Sequence, residues 1–153
     1  DLRIAGTSAQ ELYDYLGAHH EVSDLLVTGG DPMVMRTRIL AAYLEPLLDP
    51  EYEHVQTIRI GTKALTFWPQ RFVSDADSDD LLRLFERLIA GGKHVALMAH
   101  FDHWREMETP IVQQAIRRLR DAGVVIRSQG PLLAKINDDS NTWARSGLLE
   151  GCS

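Results

Sequence analysis

The residues of this sequence that could do chemistry lie in short clusters, and each cluster follows an apolar run. The first cluster, Thr28-Gly29-Gly30-Asp31-Pro32, places two glycines before an aspartate and a proline. Paired glycines let the backbone approach a ligand closely, and the N–H groups at the start of a following helix can bind an anion. The same residues also suit a tight turn in which the aspartate caps the next helix. Both interpretations stay open on this cluster alone.

A single arginine, Arg59, interrupts the second apolar run. In an extended strand its side chain points away from the face that Ile58 and Ile60 share. An arginine inside a barrel is costly unless it meets an anion, which favours contact with a carboxylate or a phosphate. The alternative is that Arg59 turns to solvent where the strand ends.

The third cluster, His100-Phe101-Asp102-His103, contains two histidines. Imidazole is a common zinc ligand, but no third ligand lies near this pair in the sequence. A hydrogen bond from His100 to a ligand is therefore favoured over a metal site. Gln129, after the fourth run, could bind a ligand through paired donor and acceptor groups. The same holds for Asn137, although Asn137-Asp138 is also typical of a turn.

Predicted strands and helices alternate along the chain and bring these clusters together. Strand–loop–helix units of this kind are typical of a parallel sheet, whose ligands lie at the carboxyl ends of the strands. The expected fold class is α/β, a parallel (βα)4 sheet equivalent to half of a TIM-like barrel, with helices on the outer face. All the clusters should then converge on one edge. The predicted strands are Asp24–Val27, His54–Ile60, His94–Ala99 and Val124–Arg127.

Capping residues predict where the helices begin and end. Ser8 with Glu11 forms a capping box for a helix that reaches His19. Asp31-Pro32 and Thr109-Pro110 each place a capping residue before a proline, and both pairs predict helix starts. A last short helix is expected near Thr142 to Leu149. The cluster Arg117, Arg118 and Arg120 is expected on a solvated helix face.

Composition restricts the class of protein. The 153 residues fit a single domain over 1–153, and 44% hydrophobic residues can build a core. The net charge of −6 disfavours nucleic acid or an acidic membrane surface as a partner. A lone cysteine, Cys152, cannot form an internal disulfide, and no apolar stretch approaches the ~20 residues needed to cross a bilayer. A cytoplasmic protein is expected.

Taken in order, the clusters resemble a known family. They are similar to the radical S-adenosylmethionine enzymes of the lysine 2,3-aminomutase family, over most of the chain. The resemblance implies a partial (βα)6 barrel and an isomerase that moves an amino group between neighbouring carbons of an amino acid such as lysine. The matching segments are Asp24 to Pro32, Ile58 to Thr62, Pro69 to Arg71, His100 to His103, Ala122 to Val124, Gln129 to Leu133 and Asn137-Asp138.

The resemblance also implies cofactors. Members of the family hold a [4Fe–4S] cluster through a C-x3-C-x2-C motif, bind S-adenosylmethionine and usually bind pyridoxal phosphate. The cluster reduces S-adenosylmethionine to a radical that abstracts a hydrogen from the substrate. The glycine cluster matches the segment that holds the methionine amino group, and three later polar residues match positions lining the barrel interior. The positions so assigned are Thr28, Gly29, Gly30, Asp31, Arg59, His100 and Gln129.

The sequence departs from this family in several places. The C-x3-C-x2-C motif is absent, and Cys152 alone cannot hold a cluster. In the family, the lysine that binds pyridoxal phosphate and the acidic residues that select the substrate lie beyond the end of this chain. Ala134 stands where the family commonly has arginine, and residues 140–153 form a divergent or truncated tail. We therefore expect a central fragment that is inactive alone and holds no cofactor tightly.

Two other functions remain open. One is a non-catalytic half barrel that self-associates as a homo-oligomer or docks on a partner, because open strand edges and a concave apolar surface favour association. The other is a small independent enzyme that uses His100 and Asp102 as acid and base. The strand residues expected on the concave surface are Leu25, Val27, Ile58, Ile60, Val95, Leu97 and Val124.

Overall fold

The four strands form one parallel sheet in the order β1-β2-β3-β4, as predicted. The computed structural model of the chain describes residues 8–150, with side chains to residue 145. The α/β class and the parallel arrangement are confirmed, and the sheet is consistent with a partial barrel. The strands are β1 (Asp24–Val27), β2 (Thr57–Thr62), β3 (His94–Ala99) and β4 (Val125–Ser128).

Helices follow each strand and precede the first. The capping box at Ser8 is present, since its hydroxyl accepts from Glu11 N at 3.2 Å and Glu11 Oε2 accepts from Ser8 N at 2.8 Å. No helix among residues 8–150 has the length and apolar character that a membrane span requires. The helices are α1 (Ala9–Ala18), α2 (Thr37–Leu44), α3 (Ala64–Phe67), α4 (Ser78–Ala90), α5 (Pro110–Asp121) and α6 (Ser140–Glu150).

The segment after β1 differs from the predicted continuous helix. Asp31 caps only a 3-10 turn at Pro32–Val34, and α2 begins at Thr37 after two residues with extended backbone. The helix ends at Leu44 because Pro46 lacks the N–H that another helical turn would need. The strand β2 also lies later than predicted, because residues 61 and 62 continue the ladder with β3 although they are not apolar.

One face of the sheet is covered by helices and the other is open. Ile58, Ile60 and Leu97 are fully buried in the core, where α4 packs against β3 and α5 against β4. Alternate residues point to the opposite side. We call that side the open face and define it by Leu26, Arg59, Met98 and Arg127. The register pairs Leu26 with Arg59 and Met98 with Arg127.

The prediction of a concave apolar surface is wrong. The strand residues assigned to it, such as Leu25, Ile58 and Val95, are aligned by the register on the side that the helices cover. The sequence shows the alternation but not which side the helices choose. Strand β1 is also not buried on both faces, because Leu26 is 47% exposed. The expected homo-oligomer stays a prediction that now depends on the open edges of the sheet.

A buried arginine holds the loop after β1 against the segment before α4. Arg71 is 1% exposed, and its guanidinium donates to the carbonyls of Met33 and Met35 at 2.8 and 3.1 Å. It also donates to Thr37 Oγ1 at 3.0 Å and to Asp77 Oδ1 at 2.7 Å. We call Arg71, Thr37 and Asp77 the buried arginine network. It fixes the start of α2, which sequence periodicity could not locate.

Burial raises the pKa of Asp77, but the hydrogen bonds from Thr37 and the charge of Arg71 outweigh that effect and lower the pKa below its ordinary value. The carboxylate of Asp77 is therefore ionised opposite the guanidinium. Arg118 also connects separate segments of the chain. It donates to the carbonyls of Phe72 and Val73 and pairs with Asp79. The prediction of a solvated arginine face is therefore wrong for Arg118.

Candidate functional site

The clusters singled out in the sequence lie at the carboxyl edge of the sheet. Since all four strands are parallel, Thr28, Lys63, His100 and Gln129 each follow the same end of a strand. Two backbone bonds continue the ladder past the strand ends, from His100 N to Thr62 O at 2.9 Å and from Gln129 N to Ala99 O at 2.8 Å. The edge therefore brings together residues far apart in sequence.

The glycine turn after β1 is exposed. Gly29 has φ +113°, a backbone conformation that residues with a side chain rarely adopt. Gly30 does not have a positive φ of this kind. A Cβ atom built on either glycine meets nothing within 4 Å, so the turn leaves open space beside the backbone. The hydroxyl of Thr28 lies next to Gly61, 3.6 Å from where a Cβ would stand. A Cβ at Gly61 would therefore be in ordinary van der Waals contact with Thr28.

Asp31 connects the loops that follow β1 and β2. Its Oδ1 accepts from Met33 N at 3.0 Å and from Thr62 Oγ1 at 2.7 Å, and its Oδ2 accepts from Lys63 N at 2.8 Å. The predicted capping role is therefore confirmed. Both carboxylate oxygens bind groups of the chain itself, so Asp31 positions the glycine turn relative to Lys63.

Arg59 lies on the open face, on the side away from Ile58 and Ile60 as predicted. Its Nε donates to Asp24 Oδ1 at 2.8 Å, and both side chains are 41% exposed. The anion that meets this arginine within the chain is thus a carboxylate on the neighbouring strand.

Three charged or titratable side chains form a chain of contacts at the edge. Asp102 accepts from Lys63 Nζ at 2.8 Å through Oδ2 and contacts His100 Nε2 at 2.9 Å through Oδ1. The side chains are 31–43% exposed, so solvent or a ligand can reach them. The bond from Lys63 has the largest effect on the pKa of Asp102; burial opposes it, but the bond from His100 also lowers the pKa, which lies below its ordinary value. We call Lys63, Asp102 and His100 the edge network.

The two histidines of the third cluster have different surroundings. His103 Nδ1 accepts from Arg105 N at 3.2 Å and caps the 3-10 turn Trp104–Met107, away from His100. Within residues 8–145, the structure contains no group of three or more His, Cys, Asp or Glu side chains arranged to hold a metal ion. His100 therefore belongs to the edge network, whereas His103 caps a turn.

Gln129 and Asn137 also differ. The side chain of Gln129 is exposed at the edge. Asn137 is 2% exposed; its Nδ2 donates to Asp102 O and Pro131 O at 2.7 and 2.8 Å, and its Oδ1 accepts from Leu133 N. Asn137 therefore fastens the loop after β4 onto the loop after β3 and does not point to a ligand.

Two residues of the site were not named as site residues from the sequence, although Lys63 ends the cluster Gly61-Thr62-Lys63 that follows the second predicted strand. Lys63 directly follows β2, but its partner Asp102 lies on another loop, so only the fold shows the pairing. Glu106 accepts from Asp102 N at 3.3 Å and from Thr66 Oγ1 at 3.1 Å, and Thr66 shares its hydroxyl with His100 O. The signal available for Lys63 in the sequence was its position directly after the end of a strand.

A depression lies at the opposite end of the sheet from the edge network. It has a volume of about 450 Å3 and is open to solvent. Its lining comes from the residues before β1 and β2, so it has no contact with the edge network. The lining residues are His20, Pro50, Glu51, Glu53, His54 and Gln56.

Comparison with known proteins identifies relatives for most of the chain. No model of a protein family matches it. A protein of Aquifex aeolicus, provisionally named L-lysine 2,3-aminomutase, is 38% identical over 130 residues, which are 84% of this chain and 33% of that protein. Glutamate 2,3-aminomutase of Clostridioides difficile is 33% identical over 130 residues, 85% of this chain and 28% of that protein. L-lysine 2,3-aminomutase of Bacillus subtilis is 33% identical over 124 residues, 81% of this chain and 24% of that protein.

The chain spans about a third or less of the length of these curated relatives.

Proposed function

Since this chain belongs to the lysine 2,3-aminomutase family, we propose that it forms the S-adenosylmethionine side of a radical S-adenosylmethionine aminomutase. The reaction is the migration of an amino group between neighbouring carbons of an amino acid, lysine and glutamate being the substrates in the relatives' names. The chain is a central part of that barrel and is inactive alone. The substrate of the complete enzyme is an amino acid.

The observation that carries the proposal is the shared edge. The exposed turn at Thr28, Gly29 and Gly30 lies at the same end of the parallel sheet as His100 and Gln129. Ligands of parallel α/β proteins bind at this end. A glycine turn with open space beside it suits the amino acid end of S-adenosylmethionine, which carries an ammonium and a carboxylate.

The iron–sulfur cluster does not fit the residues of this chain. A [4Fe–4S] cluster needs several thiolates, and the 153 residues contain one cysteine, Cys152, outside the described residues. The expected outcome of reconstitution with iron and sulfide is no stoichiometric cluster and no 5′-deoxyadenosine after reduction. Formation of either would contradict the proposed inactivity.

Two of the three lysines in the described part bond to other groups of the chain, and the third, Lys135, is exposed in the loop after β4. Lys63 is bonded to Asp102 at the edge. Lys93 lies at the other end, where its Nζ donates to the carbonyls of Tyr52 and Val55 at 2.8 and 2.7 Å. Burial lowers the pKa of Lys93, but its position excludes it from the edge.

The test is the affinity of the chain for S-adenosylmethionine, measured by an NMR titration in the low millimolar range. Gly29→Val strains the turn, because Gly29 has φ +113°, and should weaken binding at least fivefold. Gly92→Val is the matched control: Gly92 has φ +90°, also with nothing within 4 Å, but it follows α4 at the opposite end. No binding by the unmodified chain, or equal loss in both variants, would contradict the proposal.

A second candidate function is a self-associating or partner-binding half barrel. Among residues 8–150, β1 pairs only with β2 and β4 only with β3, so each leaves one edge unpaired. Unpaired edges are templates for association. Sedimentation at rising concentration tests this candidate; a single species near 17.2 kDa at every concentration would remove it.

A further inference from the structure

The edge network contains a histidine whose two ring nitrogens have different surroundings. His100 Nε2 lies 2.9 Å from Asp102 Oδ1. An ionised carboxylate can only accept, so Nε2 must carry the proton that this contact needs. In the neutral ring Nδ1 is then an acceptor. The imidazole is 43% exposed at the carboxyl edge, so a ligand can reach it.

Residues of the neighbouring loops hold Asp102, whose carboxylate faces His100. Lys63 Nζ, after β2, donates to Asp102 Oδ2 at 2.8 Å. Asn137 Nδ2, after β4, donates to Asp102 O at 2.7 Å, and Glu106 accepts from Asp102 N. Rotation of the Asp102 side chain away from His100 would break the bond to Lys63, while Asn137 and Glu106 hold the Asp102 backbone in place. An exposed ion pair that contributed only to stability would not need these additional contacts around Asp102.

We infer that Lys63 and Asp102 are positioning residues that hold His100 as the Nε2–H tautomer, so that its Nδ1 accepts a hydrogen bond from an N–H or O–H group of the ligand. The ligand class rests on the proposed function: S-adenosylmethionine carries such donors on its ammonium, ribose and adenine. The requirement excludes a ligand that presents only a carboxylate or phosphate oxygen to His100.

The primary test is the tautomer of His100, read from long-range 15N–1H NMR correlations of the ring. The unmodified chain should show the Nε2–H form almost alone. Asp102→Ala should convert it to the mixture of a free imidazole, and Lys63→Met should shift it part of the way, with recovery in Lys63→Arg. Asp80→Ala is the matched control, since Asp80 pairs with Arg83 on the surface of α4 at 3.0 Å.

The second readout is affinity for S-adenosylmethionine. Loss of one ligand hydrogen bond predicts a weakening of about tenfold in Asp102→Ala, with no change in Asp80→Ala. If Asp102→Ala does not fold, Asp102→Asn replaces it, because its amide can also donate and so removes the preference for Nε2–H. A proportion of the Nε2–H tautomer that does not change in Asp102→Ala or Asp102→Asn overturns the inference, even where binding persists. A fixed tautomer in a chain that binds no S-adenosylmethionine supports the positioning role and contradicts only the proposed function.

Discussion

Two charged networks connect the loops of this molecule, and they differ in burial. In the buried arginine network the guanidinium of Arg71 is 1% exposed, and it donates to two carbonyls, a hydroxyl and a carboxylate. In the edge network Lys63 and Asp102 are 38% and 31% exposed. The first lies among packed loops and the second lies where ligands of parallel sheets bind.

This difference separates a structural role from a ligand-facing one. A buried charge must keep all its partners, because an uncompensated charge in the interior costs several kcal/mol. An exposed ion pair contributes little to stability, about 0–1 kcal/mol, because solvent screens it. Stability therefore explains the order around Arg71 but not the order around Asp102. The edge network has the arrangement expected of residues that orient a binding group.

The largest effect should come from removing the buried guanidinium. Arg71→Met leaves Asp77 and two backbone carbonyls without their donor, and should lower the free energy of unfolding by about 3–5 kcal/mol. Urea denaturation followed by circular dichroism measures this. Arg83→Met, on the exposed face of α4, is the control and should change stability by no more than about 0.5 kcal/mol. A loss below about 1 kcal/mol at Arg71 would remove the contrast between the networks.

A smaller effect is expected where the loop after β4 contacts the loop after β3. A Cβ atom on Gly130 would lie 2.2 Å from Phe101 O, so Gly130→Ala must displace backbone and should cost about 1–3 kcal/mol. Gly30→Ala has nothing within 4 Å and no positive φ, so it should be nearly neutral. Equal denaturation midpoints for the two variants would show that the loops are not held together as described.

Stability should also depend on pH through both networks. Asp77 and Asp102 have folded pKa values below their ordinary value of 3.8. A lowered folded pKa means that the stabilisation is complete above the unfolded value and is lost as pH falls through the folded value. Unfolding free energies measured from pH 5 downward should therefore fall, and Asp77→Asn should flatten this slope more than Asp102→Asn because Arg71 is buried. The reverse order would contradict the burial comparison.

The smallest effect on stability is expected at the edge. Lys63→Met should change the free energy of unfolding by less than about 1 kcal/mol, because the pair is more than a third exposed on the lysine side. Calorimetric unfolding, compared with Lys63→Arg, measures the change. A loss as large as that of Arg71→Met would mean that the edge network is structural.

Elements that depend on local sequence could be predicted. Strand β3 has the predicted bounds His94–Ala99, and the capping box at Ser8 is present. Both follow from short-range patterns, an apolar run and a hydroxyl three residues before a glutamate. The parallel order of the strands also followed from the repeat of strand and helix.

The rest depends on contacts between distant residues. The bonds from Arg71 to Met33 and Thr37 and the pair Lys63–Asp102 form only when loops that follow different strands meet, and no periodicity encodes them. The prediction of which face of the sheet the helices cover was wrong for the same reason, since the alternation of residues along β2 fits either side. Among the predicted site residues, His100 lies in the edge network, Gln129 is exposed, and Asp31 is used within the chain.

The most direct test of the central claim is a map of amide shifts in the labelled chain as S-adenosylmethionine is added. The claim predicts changes at Thr28, Gly29 and Gly30, at His100 and at Gln129, all at the carboxyl edge. The depression at the other end serves as the internal reference, and His20 and His54 should not respond. Changes confined to that depression, or none up to several millimolar ligand, would contradict the account.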